Sequence, residues 1–213
     1  MTFLTRLIGV VLTGLMVTAC SGTKMNDSWS SPDYKRQIKK VYIIGIAKNE
    51  LNRMVFENTF ESSLTNEGVK AIASYKDLLI NQEPGREAII QRMEANDCDS
   101  ILLTRVVSQK TKTISQGKGS YRSSPGVAAS GPNSRPRYYN DWKDYYTYGS
   151  VNYVSPATLD IVTLTVESVL YDLETRELIW SAQLETNLEG NLENMMRIFV
   201  GEVTKDLRAK GLI

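Results

Sequence analysis

Val41-Tyr42-Ile43-Ile44-Gly45-Ile46 is a nearly continuous apolar run that is rich in β-branched residues. A short run of this kind is typical of a central strand that is buried on both faces of a sheet. The period then changes, because apolar side chains between Asn49 and Glu67 recur at i, i+4 spacing. Asn49 suits a helix N-cap, and Gly68 suits the left-handed position that ends a helix. The sequence therefore predicts a strand that is followed directly by a helix.

The same alternation of periods continues through the first half of the chain. Residues 69–74 form a second segment of strand type, and Pro84 can occupy the first position of a second helix. Residues 100–107 predict a third strand, which alternating polar residues extend to residue 114 as an exposed ribbon. Alternating strands and helices favour parallel pairing of these first three strands.

The second half of the chain predicts a hairpin and one more helix. Residues 159–171 and 178–185 each alternate apolar and polar side chains, and a turn separates them. Apolar residues from Leu192 to Leu207 recur at i, i+3, i+4 and i+7, which predicts a helix with Asn191 as its cap. We therefore predict an α/β (α+β) domain with a single mixed sheet of about five strands and three helices, plus a long Tyr-rich insertion.

The N-terminal residues have the parts of a secretory signal peptide: Arg6, an apolar run over residues 7–17, and small residues before Cys20. The run is shorter than the roughly 20 apolar residues that a membrane-spanning helix needs. Val17-Thr18-Ala19-Cys20 resembles the lipobox of bacterial lipoproteins. This resemblance implies cleavage before Cys20, a diacylglycerol on its thiol and an acyl chain such as palmitate on the new amine. Ser21, and not Asp, follows Cys20, which in Gram-negative lipoproteins implies the periplasmic face of the outer membrane.

These signals divide the chain into three parts. They are a signal peptide over residues 1–19, the lipidated Cys20 with a tether over residues 20–40, and a periplasmic domain over residues 41–213. The tether prediction depends on a polar composition that leaves little to bury. The 194 residues that remain after cleavage suffice for one domain with its own core. The alternative is an apolar N-terminal helix that stays attached.

Composition argues against several classes of function. The formal net charge is +1, whereas a nucleic-acid-binding domain is expected to carry a basic stripe. The chain contains no histidine, which is the commonest general base and the commonest metal ligand. Motifs for a serine nucleophile or a phosphate-binding loop are also absent. We therefore expect a protein that is not an enzyme and that has no cofactor and no metal site.

Three weak signals for chemistry remain. Glu167 and Glu185 are expected on the open face of the hairpin, where paired carboxylates can serve a hydrolase, although solvated charges are the alternative. Cys98 is either a small packed residue at the start of a strand or a reactive thiol. The negative charges of Asp97 and Asp99 disfavour the thiolate of Cys98. Two carboxylates alone are weak evidence for a cation site.

Residues 115–157 interrupt the pattern with an insertion that contains seven of the eleven tyrosines and few aliphatic residues. A loop of this length is either functional or disordered. Tyr, Trp and Arg are enriched in binding surfaces because they combine a large contact area with polar groups. The alternative is a mobile Tyr-rich loop that lies on its own sheet. The predicted partner-binding residues are Arg135, Arg137, Tyr138, Tyr139, Trp142, Tyr145, Tyr146 and Tyr148.

Three segments carry a resemblance to known families. They are residues 41–46, the strand of residues 99–107 with Thr104-Arg105, and the run from Tyr171-Asp172-Leu173-Glu174-Thr175 into Leu178-Ile179-Trp180-Ser181-Ala182. The chain resembles the N-terminal α/β domain of TolB, the periplasmic domain of the curli-secretion lipoprotein CsgG and, more closely, a group of bacterial envelope lipoproteins. The likeness covers most of residues 41–213 and implies fold more than role. The insertion departs from these families, and no pair of amphipathic strands supports a CsgG-like pore.

The sequence therefore predicts an outer-membrane lipoprotein that acts as a non-enzymatic interaction or assembly module of the cell envelope. Its expected partners are the lipid bilayer, through acylated Cys20, and another envelope protein or a second copy of itself. Glycan and lipid headgroups are alternative ligands for the insertion, and no nucleic acid is expected. A structural homo-oligomer of a CsgG-like secretion or envelope complex is the alternative function, and an envelope hydrolase is a weaker one.

Overall fold

A computed structural model describes residues 22–47, 49–78, 85–113, 160–188 and 191–213. These residues form six strands, three helices and a short 3-10 turn over Ser74–Lys76. The strands are β1 (Thr23–Ser30), β2 (Lys40–Ile46), β3 (Lys70–Ala73), β4 (Ser100–Thr113), β5 (Asp160–Asp172) and β6 (Leu178–Asn187). The helices are α1 (Glu50–Asn66), α2 (Arg86–Ala95) and α3 (Leu192–Ala209).

The strands form one mixed sheet in the order β1-β6-β5-β4-β2-β3. β2 pairs in parallel with β3 and β4. The other three neighbouring pairs, β4–β5, β5–β6 and β6–β1, are antiparallel. The predicted class, a single mixed sheet with three helices, is confirmed. The sheet has six strands instead of about five.

The additional strand, β1, lies in the segment that the sequence predicts to be a tether. That prediction is wrong for residues 23–30, which pair with β6 along their length. The strand escapes notice because an edge strand buries few side chains, so its sequence stays polar. Met25 packs against one core cluster and Trp29 against the other, with a β-bulge between Met25 and Asp27.

The helix ends follow the predicted caps. The side chain of Asn49 accepts a hydrogen bond from Asn52 N at 2.9 Å, and Asn191 accepts one from Glu193 N at 2.8 Å. Gly68, just beyond α1, has a positive φ of 87°, which suits glycine because it lacks a Cβ. α2 begins at Arg86, later than predicted, and Pro84 lies outside the described residues.

Hydrophobic cores cover both faces of the sheet. α1 and α3 pack on one face, where Phe60, Trp180 and Val203 are buried. α2 packs on the other face, where Ile89 and Leu103 are buried. The apolar stripe of α3 is therefore core, as its spacing predicts. Within the described part of the chain, no helix is long and apolar enough to cross a membrane.

Strand directions distinguish two edges of the sheet. β2, β3 and β6 end at one edge, which we call the carboxyl edge, and β1 begins there. α1 and α3 follow β2 and β6 in the chain, so both helices also begin at the carboxyl edge. At the opposite edge, the amino edge, β2 and β4 begin and a tight turn joins β5 to β6.

Candidate functional site

The predicted anchor and the predicted partner-binding residues lie outside the described residues. They are Cys20, Arg135, Arg137, Tyr138, Tyr139, Trp142, Tyr145, Tyr146 and Tyr148. What the structure does describe is the position of the chain on either side of them.

The described residues that flank the Tyr-rich insertion lie at the end of a two-stranded ribbon. β4 and β5 remain paired from Ser100 and Asp172 to Thr113 and Asp160, which are cross-strand partners. β6 ends opposite Thr163, so the last three residue pairs of the β4–β5 ribbon extend beyond the end of β6. At the rise of an extended strand, three residues span about 10 Å. The insertion therefore leaves and re-enters the domain at neighbouring points on the side of the carboxyl edge.

The N-terminal end of the described chain is held at the same edge. Gly22 O accepts a hydrogen bond from Asn187 N at 2.9 Å, and the hydroxyls of Thr23 and Thr186 lie 2.7 Å apart. Two peptide bonds separate Gly22 from Cys20. Gly22, which follows the predicted lipidation site by two residues, and the described end of the ribbon therefore lie at one edge of the sheet.

An apolar pocket opens at the carboxyl edge, between the sheet and the first turns of α1 and α3. Its volume is about 90 Å³. An apolar cavity of about 150 Å³ can hold a benzene molecule, so this pocket suits one apolar side chain or the end of a hydrocarbon chain. Pockets of this kind form where parallel strands end in open α/β sheets. Its apolar lining includes Ile46, Phe56, Val106, Val166, Met196 and Phe199.

A buried ion pair lies behind the pocket. Glu57 is fully buried and Arg53, one helical turn earlier on α1, is 4% exposed. Oε1 of Glu57 accepts hydrogen bonds from Gly45 N and Arg53 Nε, each at 2.8 Å, and from Ser74 Oγ at 2.9 Å. Oε2 accepts one from Tyr75 N at 2.8 Å. Burial raises the pKa of Glu57, and Arg53 opposes that shift. The pair joins α1 to β2 and to the 3-10 turn.

A second buried ion pair corrects an expectation about the hairpin. Glu167 is not on an open face: it is buried, and Arg105 Nη2 donates to its Oε2 at 3.2 Å. Burial raises the pKa of Glu167, whereas Arg105 and a hydrogen bond from Gln183 lower it. Glu185 shares this face but lies near the surface, where its Oε1 is 3.6 Å from Lys110 Nζ. Both carboxylates therefore face cations.

Cys98 and its neighbouring aspartates have structural surroundings. The thiol is half-buried, and burial raises its pKa to about 11, with further contributions from Asp99, Asp77 and Asp97. This direction agrees with the sequence-based expectation that the thiolate is disfavoured. Oδ2 of Asp99 accepts a hydrogen bond from Lys39 N at 2.8 Å, so this carboxylate fixes the entry into β2. Among the described residues, no cluster of three potential metal ligands occurs.

The residues of the carboxyl edge are not recognisable as a site from the sequence. The helical spacing of apolar residues predicts that Phe56, Met196 and Phe199 are core residues. It does not distinguish a core residue from one that lines a pocket. Leu51 is different, because it lies in the first turn of α1 off the apolar stripe and is 67% exposed. An apolar residue outside a helical stripe is the signal that could have identified it.

Comparisons with known proteins give only distant structural neighbours. No family model and no curated protein matches the chain. It is similar to the PelC dodecamer from Paraburkholderia phytofirmans, with a TM-score of 0.43, 13% identity, and coverage of 87% of this chain and 96% of that chain. It is also similar to lipoprotein GNA1162 from Neisseria meningitidis, with a TM-score of 0.41, 9% identity, and coverage of 80% of this chain and 99% of that chain. A third neighbour is a PDZ domain protein from Parabacteroides distasonis, with a TM-score of 0.38, 11% identity, and coverage of 84% of this chain and 35% of that chain. Likenesses this distant carry no argument about activity or partners.

Proposed function

We propose that the chain is an outer-membrane lipoprotein, anchored through Cys20, whose periplasmic domain is a non-enzymatic interaction or assembly module of the cell envelope. The signal-peptide pattern and the lipobox-like residues before Cys20 support the anchoring. The domain supplies a rigid support, and the Tyr-rich insertion supplies the contact surface.

One observation carries the proposal: Thr113 and Asp160 are cross-strand partners at the end of a long ribbon. A binding segment inserted there is positioned by two hydrogen-bonded strands that continue into the centre of the sheet. Binding residues are commonly carried by loops on a rigid scaffold of this kind. Because the ribbon leaves the carboxyl edge, the insertion and the anchored N-terminus belong to the same side of the domain.

The first experiment replaces residues 114–159 with an Asn-Gly turn that joins Thr113 to Asp160. Asn-Gly matches the twist of paired strands in a two-residue hairpin. We expect the free energy of unfolding not to fall, because a shorter connection costs less closure entropy and the paired strands remain. Urea denaturation followed by circular dichroism measures it. Unfolding of this variant would mean that the insertion is part of the core, and the proposal would be wrong.

The second measurement identifies the partner in cells. A photoreactive residue replaces Tyr139 or Tyr146, and the matched control replaces the exposed Lys205 on α3. We expect a discrete adduct from the insertion, with one envelope protein identified in it by mass spectrometry, and no such adduct from position 205. Adducts that consist only of multiples of this chain would favour the oligomer described next. Equal adducts from all three positions would contradict a specific surface.

A structural homo-oligomer is the second candidate function, and the position of β1 favours it. β1 is the outermost strand on its side of the sheet and pairs with β6 and with no other described strand. An exposed edge strand can add a strand from another chain. Light scattering tests this on a Cys20→Ser chain from which residues 1–19 have been removed, and this soluble form is called the Cys20→Ser chain from here on. A monomer at the highest soluble concentration would contradict the oligomer.

A further inference from the structure

Resting on the proposed anchoring at Cys20, we propose that the carboxyl edge lies against the bilayer, with Leu51 and the mouth of the apolar pocket in contact with lipid hydrocarbon. The sequence predicts a tether between anchor and domain, which would let the domain take any orientation. In the structure, β1 occupies residues 23–30 of that segment and begins three residues after Cys20. The domain would then be held in one orientation at the membrane surface.

Chain length is the first argument. Gly22 is held by its hydrogen bond to Asn187 N, and β1 begins at the next residue. Two residues of extended backbone span at most about 7 Å, so an acylated Cys20 cannot stand far from the sheet. A lipid on Cys20 therefore brings the carboxyl edge, and not the amino edge, to the membrane.

The position of exposed apolar surface is the second argument. Leu51, 67% exposed, is the large hydrophobic side chain that the described residues leave exposed, and it lies at this edge. It is close in sequence to Ile46 and Ala47, which line the pocket and are half-buried. Leu51 and the pocket are therefore two apolar features of the same edge. Transfer of apolar surface from water to hydrocarbon is favourable, so even a shallow insertion of such a surface adds to the anchor.

The charges at this edge are compatible with a headgroup layer but do not select anionic lipid. Lys24, Lys110 and Lys112 are exposed there, and Glu185 and Glu193 lie nearby with the opposite sign. The contact is therefore expected to depend on apolar burial more than on salt concentration.

The test uses the full lipidated protein in vesicles of phosphatidylethanolamine and phosphatidylglycerol. In a Cys98→Ser background, an environment-sensitive fluorophore is attached at Leu51→Cys, or at Glu177→Cys in the turn of the amino edge as the matched control. We expect lipids that carry a nitroxide on the acyl chain to quench the fluorophore at position 51 several-fold more than that at position 177. Equal quenching, or none at position 51, would overturn the proposal.

A second measurement avoids changing Leu51. Hydrogen–deuterium exchange compares the lipidated chain on vesicles with the Cys20→Ser chain in solution. Residues 46–53 should gain protection on the vesicles, and residues 173–177 should not. Unchanged exchange at residues 46–53 would count against contact with the bilayer whatever the fluorophore reports.

Flotation separates this inference from the function on which it rests. If the unmodified protein fails to float with the vesicles, the anchoring at Cys20 is wrong and the membrane contact falls with it. If the protein floats and the Cys20→Ser chain does not, the anchoring stands. Absence of quenching at position 51 would then overturn the orientation alone.

Discussion

Each edge of the sheet holds a buried carboxylate, but the two carboxylates have different partners. At the amino edge, Asp172 is 2% exposed and accepts hydrogen bonds from Tyr34 OH at 3.1 Å, Arg36 Nη2 at 2.6 Å and Thr175 N at 2.8 Å, and Arg36 itself is half exposed. At the carboxyl edge, Glu57 lies on the inner face of α1, is fully buried and accepts a hydrogen bond from Gly45 N at 2.8 Å.

The partners of Glu57 are compatible with an apolar opening at the carboxyl edge. Backbone groups where strands begin or end must be satisfied, either by water and surface side chains or from within. At the amino edge, Asp99 accepts a hydrogen bond from Lys39 N and Asp172 accepts one from Thr175 N. At the carboxyl edge Glu57 satisfies Gly45 from behind, so the pocket can keep apolar walls such as Phe56 and Met196.

The largest expected effect comes from breaking the buried carboxylate. Glu57→Ala leaves Arg53 buried without its ion-pair partner and removes the acceptor for Gly45 N, so the free energy of unfolding should fall by about 3–5 kcal/mol. The matched control is Glu61→Ala on the same helix, whose partner Lys76 is about half exposed; it should cost at most about 1 kcal/mol. Urea denaturation of the Cys20→Ser chain measures both, and equal losses would contradict the asymmetry.

The next effect is the low reactivity of Cys98 at the amino edge. Its pKa is raised from 9.0 to about 11, so its thiolate fraction at pH 8 should be about 100-fold lower than that of an unperturbed thiol. Alkylation by iodoacetamide should be correspondingly slow and should accelerate until the pH reaches the raised pKa. A thiol at exposed position 51, in Leu51→Cys with Cys98→Ser, is the comparison. Equal alkylation rates at positions 98 and 51 would contradict the raised pKa of Cys98.

The smallest effect concerns Asp172, which is buried but is paired with the half-exposed Arg36. Asp172→Asn keeps the shape but removes the charge that Arg36 faces and one acceptor oxygen, so it should cost about 1–3 kcal/mol in the free energy of unfolding. Screening at the half-exposed Arg36 favours the lower end of that range. Glu174→Gln, at a side chain that is 77% exposed, should cost less. A loss as large as that of Glu57→Ala would erase the distinction between the edges.

Much of the fold could be predicted from local pattern. The strand over residues 41–46, the helix caps at Asn49 and Asn191 and the final helix depend on neighbours in sequence, and the structure agrees with them. β1 could not be recognised, because an edge strand with one partner needs little apolar alternation. The pocket could not be recognised either, because Phe56 and Met196 come from helices that are far apart in the chain.

Local sequence pattern also could not predict which charged side chains are buried. Alternation assigned Glu167 to an open face, and that assignment was wrong because Arg105, 62 residues earlier, lies beside it on the neighbouring strand. Register decides such a pair, and register is set only when the two strands meet. The predicted anchor at Cys20 and the predicted binding residues of the insertion stay predictions, since they lie outside the described residues.

By itself, the sequence determined the kinds and order of the elements, since caps, turns and apolar periods act between residues a few positions apart. Only the tertiary structure decided which ends of those elements share an edge. That outcome depends on the direction in which each strand joins the sheet, and strand pairing links residues as distant as Thr23 and Thr186. The convergence of the N-terminus, the ribbon and the apolar pocket at the carboxyl edge follows from that pairing.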